Sequence, residues 1–232
     1  MNIALILSGG IGSRVDSEIP KQYIEISGKP IILFGLEQIS RNSNIDAFQI
    51  VADKAWREQI EKYMITSDIM YKFRGFSEPG KNRQFSIIHG LEDIRDFAHD
   101  CDYIFIHDAA RPMLTSNLIQ KCFQEVRGHD GVLPVLSMKD TVYSSIDGIK
   151  ISKLLERKNI FAGQTPEVFV FGKYYKANKR LAPKEILQIN GSTEPAVMAG
   201  MDIVMIPGEE SNFKITTNKD LERFREIVQK LN

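Results

Sequence analysis

The stretch "LILSGGIGSR", residues 5–14, joins a short apolar run to a glycine-rich segment that ends on Arg14. The apolar run "IALIL", residues 3–7, predicts a buried β-strand. Ligands of parallel sheets bind beyond the carboxyl ends of the strands, and glycines let backbone N–H groups approach phosphate oxygens closely. The stretch therefore predicts an α/β fold with a phosphate-binding loop after its first strand.

Two common nucleotide-binding patterns do not fit this glycine-rich segment. In the dinucleotide-binding pattern G-x-G-x-x-G, counted from Gly10, the third glycine position holds Val15. The P-loop pattern requires a glycine–lysine pair followed by Ser or Thr, and the segment contains no such pair. The sequence therefore favours neither a hydride-transferring dehydrogenase nor a P-loop enzyme.

Two cations distinguish the segment. Arg14 and Lys21 lie seven residues apart, and Pro20 stiffens the backbone just before Lys21. Two cations beside a glycine loop suit a bound triphosphate, but both could equally be solvated surface charges. On this segment alone the two interpretations remain open.

Composition narrows the class of protein. The chain has 232 residues, 43% of them hydrophobic, with 30 Lys and Arg balanced by 30 Asp and Glu. This predicts one domain over residues 1–232 and no nucleic-acid or membrane-surface partner, since basic blocks and acidic tails are missing from the sequence. The two cysteines, Cys101 and Cys122, have no metal-type spacing, and the first apolar run is too short for a signal segment. We therefore expect a cytoplasmic protein.

Strand-like and helix-like patterns alternate outward from the glycine segment. This order predicts a doubly wound, mostly parallel, Rossmann-like sheet with helices on both faces. The predicted strands are 3–7, 47–52, 103–108, 131–136 and 201–208, and the predicted helices are 31–42, 55–64, 83–96, 116–126 and 217–231. Thr217 and Asp220 have the spacing of a capping box at the start of the last helix.

The α/β alternation breaks at residues 140–157. Apolar and polar residues alternate there on both sides of "IDGI", which predicts a β-hairpin with an Asp-Gly turn. Such a hairpin, within an inserted arm at 138–160, could reach a partner subunit or pack on its own domain. Both interpretations fit the sequence.

Six further sequence motifs follow the glycine segment and are spread over nearly the whole chain. They are "PKQY…GKPII", "GKNRQFS" (80–86), "HDAARP" (107–112), "DT" (140–141), "ERKNIFAGQTPEVF" (156–169) and "NFKITT" (212–217). Together with the glycine segment, and in this order, they resemble the CTP-dependent cytidylyltransferases of small polyol phosphates. The resemblance implies a nucleotide-diphospho-sugar transferase fold, the substrates CTP and a polyol phosphate, Mg²⁺, and a homodimer with shared active sites.

The same resemblance implies roles for single residues. The implied catalytic cations are Arg14, Lys21 and Lys214. The implied nucleotide-binding residues are Ser8, Gly9, Gly10, Gly12, Ser13, Gly80, Arg83, Ser86 and Ala109. The implied acceptor-binding residues are Asp108, Arg111, Thr141, Arg157, Thr165 and Thr193. Asp108 ends a predicted strand, and a carboxylate there also suits Mg²⁺, which takes one or two carboxylates together with substrate phosphates.

Two departures from the family pattern bear on the substrates. Lys81 stands where the family commonly has an acidic or small residue, in the segment that reads cytosine. In "STEPA", residues 192–196, Glu194 replaces an aspartate and Pro195 follows it. Within the resemblance, "HDAARP" favours 2-C-methyl-D-erythritol 4-phosphate as the acceptor. The segment "FAGQTP" and the altered "STEPA" keep ribitol 5-phosphate or another capsule or wall polyol phosphate as the alternative. A sugar-phosphate nucleotidylyltransferase that uses another nucleotide would share the glycine segment. A non-catalytic nucleotide-binding protein could share the fold, but the presence of Arg14, Lys21, Asp108 and Lys214 argues against it.

Overall fold

The protein is a mixed α/β domain in the computed structural model, which describes residues 1–10 and 19–231. The strands are β1 (Asn2–Leu7), β2 (Glu25–Ile26), β3 (Lys29–Pro30), β4 (Ala47–Val51), β5 (Phe73–Ser77), β6 (Tyr103–Asp108), β7 (Gly131–Ser137), β8 (Val142–Ser144), β9 (Lys153–Leu155), β10 (Phe161–Gly163), β11 (Glu167–Val170) and β12 (Ile203–Pro207). The helices are α1 (Ile31–Arg41), α2 (Lys54–Thr66), α3 (Arg83–Arg95), α4 (Ser116–Glu125), α5 (Phe171–Lys179), α6 (Pro183–Gln188), α7 (Glu194–Met198) and α8 (Asn218–Leu231). All the predicted strands and helices are present, with bounds that differ by a few residues at most.

Eight strands form the central sheet in the order β10-β7-β11-β6-β1-β4-β5, with β12 paired to β7. The neighbours of β1 on both sides, β4 and β6, run parallel to it, and so do the pairs β4–β5 and β7–β12. The strands β10 and β11 run antiparallel to their neighbours. The prediction of a mostly parallel, doubly wound sheet is therefore confirmed.

The first strand, β1, contributes side chains to a hydrophobic core on each face of the sheet. Its residues alternate between two hydrophobic clusters, with Ala4 and Ile6 in one and Ile3 and Leu5 in the other. All four side chains are buried. A parallel strand covered by helices on both faces needs a continuous apolar run, and "IALIL" supplies one.

The order in which successive strands are added to the sheet reverses next to β1. The chain runs from β1 outward to β4 and β5, and then returns to form β6 on the other side of β1. In register, Leu7 at the end of β1 pairs with Asp108 at the end of β6. The glycine segment and the "HDAARP" segment therefore leave the sheet side by side at its switch point, where ligands of such folds bind.

The predicted hairpin is present, but its paired part is short. In β8 and β9, Val142 pairs with Leu155 and Ser144 with Lys153, in a small sheet separate from the central one. The Asp147 carboxylate accepts hydrogen bonds from the backbone N–H groups of Ile149 and Lys150, which closes the predicted turn. Of the helices within residues 1–10 and 19–231, none is both long and apolar enough to cross a bilayer.

The capping box of α8 is confirmed. The Asp220 carboxylate accepts hydrogen bonds from the backbone N–H groups of Thr216 and Thr217, at 2.9 and 2.8 Å. The Thr217 hydroxyl in turn accepts one from the Asp220 N–H at 3.3 Å. Although burial raises the pKa of Asp220, the hydrogen bonds from Thr216 and Thr217 outweigh it and lower the pKa to about 2.

Replacing Asp220 with alanine is expected to reduce the free energy of unfolding by about 1 kcal/mol at pH 7, since two N–H groups lose their acceptor. A carboxyl whose pKa falls on folding stabilises the protein above its unfolded pKa and loses that effect as the pH drops. The difference between the two proteins should therefore shrink from about pH 4 towards pH 2. Urea denaturation measures it, with the exposed neighbour substitution Lys219→Ala as the control. Equal stabilities of wild type and Asp220→Ala at pH 7 would contradict the capping role.

Candidate active site

A cavity of about 470 Å³ opens at the switch point. Its first wall carries Gly9, Gly10, Lys21 and Gln22, and its second wall is the segment 79–83 with Ser86. Leu7, Asp108, Ala110 and Lys214 complete the lining. Four segments far apart in the sequence therefore meet around one space that is large enough for a small ligand.

The first wall is built from the start of the glycine segment and a short 3₁₀ turn at Lys21–Tyr23. The predicted residue Ser8 is buried, and its hydroxyl donates a 2.8 Å hydrogen bond to the Tyr23 hydroxyl. A Cβ on Gly9 would lie 2.5 Å from the Cβ of Pro79, so a side chain here would push the two walls apart. The predicted residues Gly12, Ser13 and Arg14 lie outside the described residues.

The second wall is the N-terminus of α3 with the residues before it. The Asn82 side chain caps the helix by accepting a 2.9 Å hydrogen bond from the Phe85 N–H. The Ser86 hydroxyl accepts from the Gly80 N–H at 2.9 Å, and a Cβ on Gly80 would overlap Phe85. The predicted nucleotide-binding residues Gly80, Arg83 and Ser86 are thus held together on this wall, and Lys81 lies beside them.

Asp108 stands at the centre of a cluster of cations. Its Oδ1 accepts from Arg83 Nε at 3.1 Å and Nη2 at 3.0 Å, and its Oδ2 accepts from Lys214 Nζ at 2.8 Å. The Arg111 Nε lies 3.9 Å from Oδ2. Burial alone would raise the pKa of Asp108, but Arg83 and Lys214 hold it well below the usual range of a carboxyl group. Asp108 therefore stays ionised at neutral pH in contact with several cations, and cations grouped beside a cavity suit a polyanion.

The predicted residues Ala109, Arg111 and Thr165 lie around Asp108. The Thr165 hydroxyl accepts a 3.2 Å hydrogen bond from the Asp108 N–H, and Arg111 Nη1 donates to the Asn212 carbonyl at 2.7 Å. Ala109 is buried, and its neighbour Ala110 lines the cavity instead. These residues support the position of Asp108.

The segment "STEPA", residues 192–196, which differs from the family pattern, lies beside a second buried carboxylate, Glu167. Burial raises the pKa of Glu167, and the guanidinium of Arg83 and the hydroxyls of Ser192 and Thr193 offset only part of that rise. The Glu194 carboxylate accepts a 2.8 Å hydrogen bond from the Asn190 N–H, so it stabilises the turn before α7.

The two predicted residues of the arm do not line this cavity. Thr141 and Arg157 are exposed, and Arg157 Nη1 donates a 2.5 Å hydrogen bond to the Lys139 carbonyl within the arm. Within one copy of the chain, the arm and the cluster around Asp108 are therefore separate groups of predicted residues.

Sequence reasoning missed three side chains that organise the site: Gln22, Asn82 and Glu167. Asn82 directly precedes a predicted helix, so the preference of asparagine for the N-cap position could have identified it. Gln22 and Glu167 are recognised only through contacts with distant segments.

A metal centre built from protein ligands alone is not present among the described residues, which contain no group of three or more His, Cys, Asp or Glu that could hold an ion. Among the described residues that line the cavity, Asp108 carries the sole carboxylate. A carboxylate oxygen has two acceptor positions, and Lys214 takes one of those on Oδ2. The donor set therefore fits an ion held mainly by substrate phosphates and water, with Oδ2 as a protein ligand.

Comparisons with known proteins agree with this geometry. The model of the IspD family, 2-C-methyl-D-erythritol 4-phosphate cytidylyltransferase, matches residues 2–230. An enzyme of that name from Lachnospira eligens is 31% identical over 226 residues, which cover 96% of each chain. A ribitol-5-phosphate cytidylyltransferase from Streptococcus agalactiae is 28% identical over 232 residues, which cover 98% of this chain and 95% of the relative.

The fold is shared with solved structures as well. The 4-diphosphocytidyl-2C-methyl-D-erythritol synthase of Anaerococcus prevotii superposes with a TM-score of 0.81 at 22% identity, over 98% of this chain and 96% of the other. The family model matches nearly the whole sequence, so the similarity extends over the entire domain and includes the cation-lined cavity. The chain belongs to the IspD family of cytidylyltransferases.

Proposed function

We propose that this protein transfers CMP from CTP to 2-C-methyl-D-erythritol 4-phosphate and releases pyrophosphate. The observation that carries the proposal is the cavity lined by Lys21, Arg83 and Lys214, in which Arg83 and Lys214 form ion pairs with the Asp108 carboxylate. Two polyanions must meet in this reaction, and an excess of fixed positive charge offsets their repulsion. The family to which the chain belongs supplies the reaction type.

The chemistry follows from the charge arrangement. A phosphate oxygen of the acceptor attacks the α-phosphorus of CTP, and the bond from that phosphorus to the pyrophosphate oxygen breaks. The acceptor phosphate is already ionised at pH 7, so no general base is needed and catalysis consists of positioning and charge stabilisation. We assign the stabilisation of charge on the α-phosphate and the leaving pyrophosphate to Lys21 and Lys214, which line the cavity, and to Arg14.

The second wall suits the cytosine base. Gly80, Arg83 and Ser86 are fixed there by the cap of α3, and rigid donors and acceptors can discriminate between bases better than mobile ones. Lys81 adds a cation on this wall. Pyrophosphate release with CTP, UTP, ATP and GTP tests the assignment: turnover with UTP but not with CTP would overturn it.

Mg²⁺ is part of the proposal. When bound with the triphosphate it would neutralise phosphate charge, and Asp108 Oδ2 is the protein atom we assign to it. The two free cysteines, Cys101 and Cys122, fit the reducing cytoplasm that we propose as its location.

We further propose a homodimer in which the arm at 138–160 completes the partner's active site. Ile146 and Ile149 on the arm are 95% and 87% exposed, and Ile151 and Leu154 are also exposed. Apolar side chains grouped on one projecting hairpin favour a protein contact. Thr141 and Arg157 on the arm would then bind the acceptor phosphate of the neighbouring subunit, for which the planar guanidinium is well suited.

Replacing Arg157 with alanine is expected to raise the KM for the acceptor phosphate by about 30-fold or more, because one charge-assisted phosphate contact is lost. The KM for CTP should remain nearly unchanged. Steady-state kinetics with each substrate varied in turn measures both values, with the exposed arm substitution Lys150→Ala as the control. A rise in the KM for CTP alone would contradict the assignment.

Mixed dimers test whether the site is shared. Lys21→Ala and Arg157→Ala damage different halves of the proposed site, so a heterodimer of the two variants contains one intact site. Activity recovered on mixing supports the shared site, whereas zero recovery in isolated heterodimers would refute it.

The acceptor is tested with a panel of methylerythritol, ribitol, glycerol and heptose phosphates, with CTP and Mg²⁺. Ribitol 5-phosphate is the second candidate, because the ribitol-type relative aligns over 98% of this chain and the "STEPA" segment departs from the common pattern. The highest kcat/KM in the panel identifies the acceptor, and a clear preference for ribitol 5-phosphate would replace the first candidate.

A further inference from the structure

Gln22 binds two carbonyl groups of the glycine segment at once. Its side chain is 3% exposed, and its Nε2 donates hydrogen bonds of 2.7 Å to the Ser8 carbonyl and 2.7 Å to the Gly10 carbonyl. An amide group has two N–H bonds, so both of its donors are used on this one segment. The contact joins residues that lie 14 and 12 positions apart in the chain.

Tyr23 strengthens the same connection. Its hydroxyl donates to the Ser8 carbonyl at 3.0 Å and accepts from the Ser8 hydroxyl at 2.8 Å. Lys21 is the preceding residue of the same 3₁₀ turn and lines the cavity. The bonds made by Gln22 and Tyr23 therefore fix the backbone of Lys21 relative to the glycine segment.

The orientation of the glycine backbone follows from these bonds. In a planar trans peptide the C=O and the N–H point in opposite directions. Because the Ser8 carbonyl points to Gln22 and Tyr23, the Gly9 N–H of the same peptide points away from them. Gly9 lines the cavity, and its N–H makes no hydrogen bond with a described residue. This N–H is thus available to an oxygen of a ligand.

We propose that Gln22 is a positioning residue for the transfer reaction, which holds the glycine segment and Lys21 in the arrangement that binds a nucleoside triphosphate. The inference rests on the proposed function for its ligand. Gln22 acts through the backbone of Gly9 and Gly10 and through the position of Lys21, not through contact with the reacting atoms.

The test is a pair of substitutions of similar size. Gln22→Met fills the same space without donors, and Gln22→Glu keeps the shape but turns an acceptor oxygen towards the Ser8 and Gly10 carbonyls. We expect each to raise the KM for CTP and to lower kcat, each by about tenfold, because two buried hydrogen bonds are lost. The KM for the acceptor should change less than threefold. Gln59→Met, the same change on α2 where Gln59 bonds only to Tyr63 among the described residues, is the control and should leave all three constants unchanged.

A spectroscopic signal reports the connection directly. The single tryptophan of the sequence, Trp56, stacks on Tyr23 with ring centroids 4.4 Å apart. Titration of CTP into the wild type is expected to change Trp56 emission, and in Gln22→Met the change should require about tenfold more CTP. If Gln22→Met does not fold, as judged by circular dichroism, the same titration of Gln22→Glu decides.

Calorimetric binding of CTP separates this inference from the function on which it rests. If the wild type binds CTP and the folded Gln22 variants bind it more weakly, the positioning role is supported. Binding and kinetics equal to the wild type in those variants would overturn the role of Gln22 alone. No CTP binding by the wild type would overturn the proposed function and this inference with it.

Discussion

Replacing Lys21 with alanine is expected to lower kcat of the CTP-dependent transfer by about a thousandfold, the range seen when a preorganised charge-stabilising group is removed. Lys21 lines the cavity beside Gly9 and Gly10, and Gln22 fixes its backbone. Charge on the leaving pyrophosphate grows only as the bond to the α-phosphorus breaks, so this cation contributes most in the transition state. The KM for CTP should therefore rise by less than about tenfold.

Initial rates of pyrophosphate release, with CTP and the acceptor varied separately, measure this effect. Lys62→Ala is the matched control, since Lys62 is exposed on α2 and pairs only with Glu58 among the described residues. Its kinetic constants should equal those of the wild type. If Lys21→Ala weakened CTP binding as much as it slowed turnover, Lys21 would stabilise the bound nucleotide and the transition state alike, and the catalytic role would be wrong.

The sheet was predictable because its central strands are apolar and covered on both faces. "IALIL" and "YIFIHD" are such runs, and the strand predicted at 103–108 has the observed bounds. Polar or small residues directly follow the last residue of both strands. Because ligands bind beyond the carboxyl ends of parallel strands, these residues indicated the ligand-binding edge of the sheet. The pairing of Leu7 with Asp108 then follows from the parallel register.

The segment between the arm and β12 was not predictable in the same way. It contains β11, with four residues, and α6 and α7, with six and five residues. A helix of five or six residues has fewer than two turns, and a strand of four residues has two periods, so hydrophobic periodicity cannot identify them. The strand β5, "FRGFS", is missed for another reason, because its polar residues and glycine weaken the apolar pattern.

Most residues that line the cavity could be predicted one by one from sequence motifs, but the contacts between them could not. Asp108 and Lys214 were recognised from separate motifs, yet their 2.8 Å contact joins positions 106 residues apart. Long-range contacts of this kind depend on topology, which spacing along the chain does not record. The burial of His107 could not be predicted from spacing either: it lowers the pKa of the ring to about 4, so the ring is neutral at pH 7, and Nε2 donates to the Arg111 carbonyl.

After Lys21→Ala, the largest effect is expected from replacing Asp108 with asparagine, which should lower both the free energy of unfolding and the turnover rate. The substitution leaves Arg83, Lys214 and Arg111 without their shared counter-charge, and breaking a buried ion pair in this way costs about 3 kcal/mol of unfolding free energy. Turnover should fall at least about a hundredfold, because Arg83 and Lys214 lose the acceptors that fix their positions. Urea denaturation and steady-state kinetics measure the two effects.

The pH dependence of the stability difference follows from the lowered pKa of Asp108. A carboxyl with a pKa lowered on folding contributes its stabilisation above its unfolded pKa of about 3.9, and loses it as the pH falls further. The difference between wild type and Asp108→Asn should thus be constant from about pH 5 to pH 8 and decrease below about pH 4. A difference that changed near neutral pH would mean that another group, and not Asp108, balances the three cations.

The same variant separates the two roles assigned to Asp108. If the carboxylate serves only to hold Arg83 and Lys214, its loss leaves these cations to the triphosphate, so CTP should bind equally or more tightly both with and without Mg²⁺. If Oδ2 also binds the ion, Mg²⁺ should improve CTP binding to the wild type more than to Asp108→Asn. We expect the second pattern, because Oδ2 retains an acceptor position beside Lys214. Equal improvement by Mg²⁺ in both proteins would exclude Asp108 as a metal ligand and leave it as the counter-ion of the cation cluster.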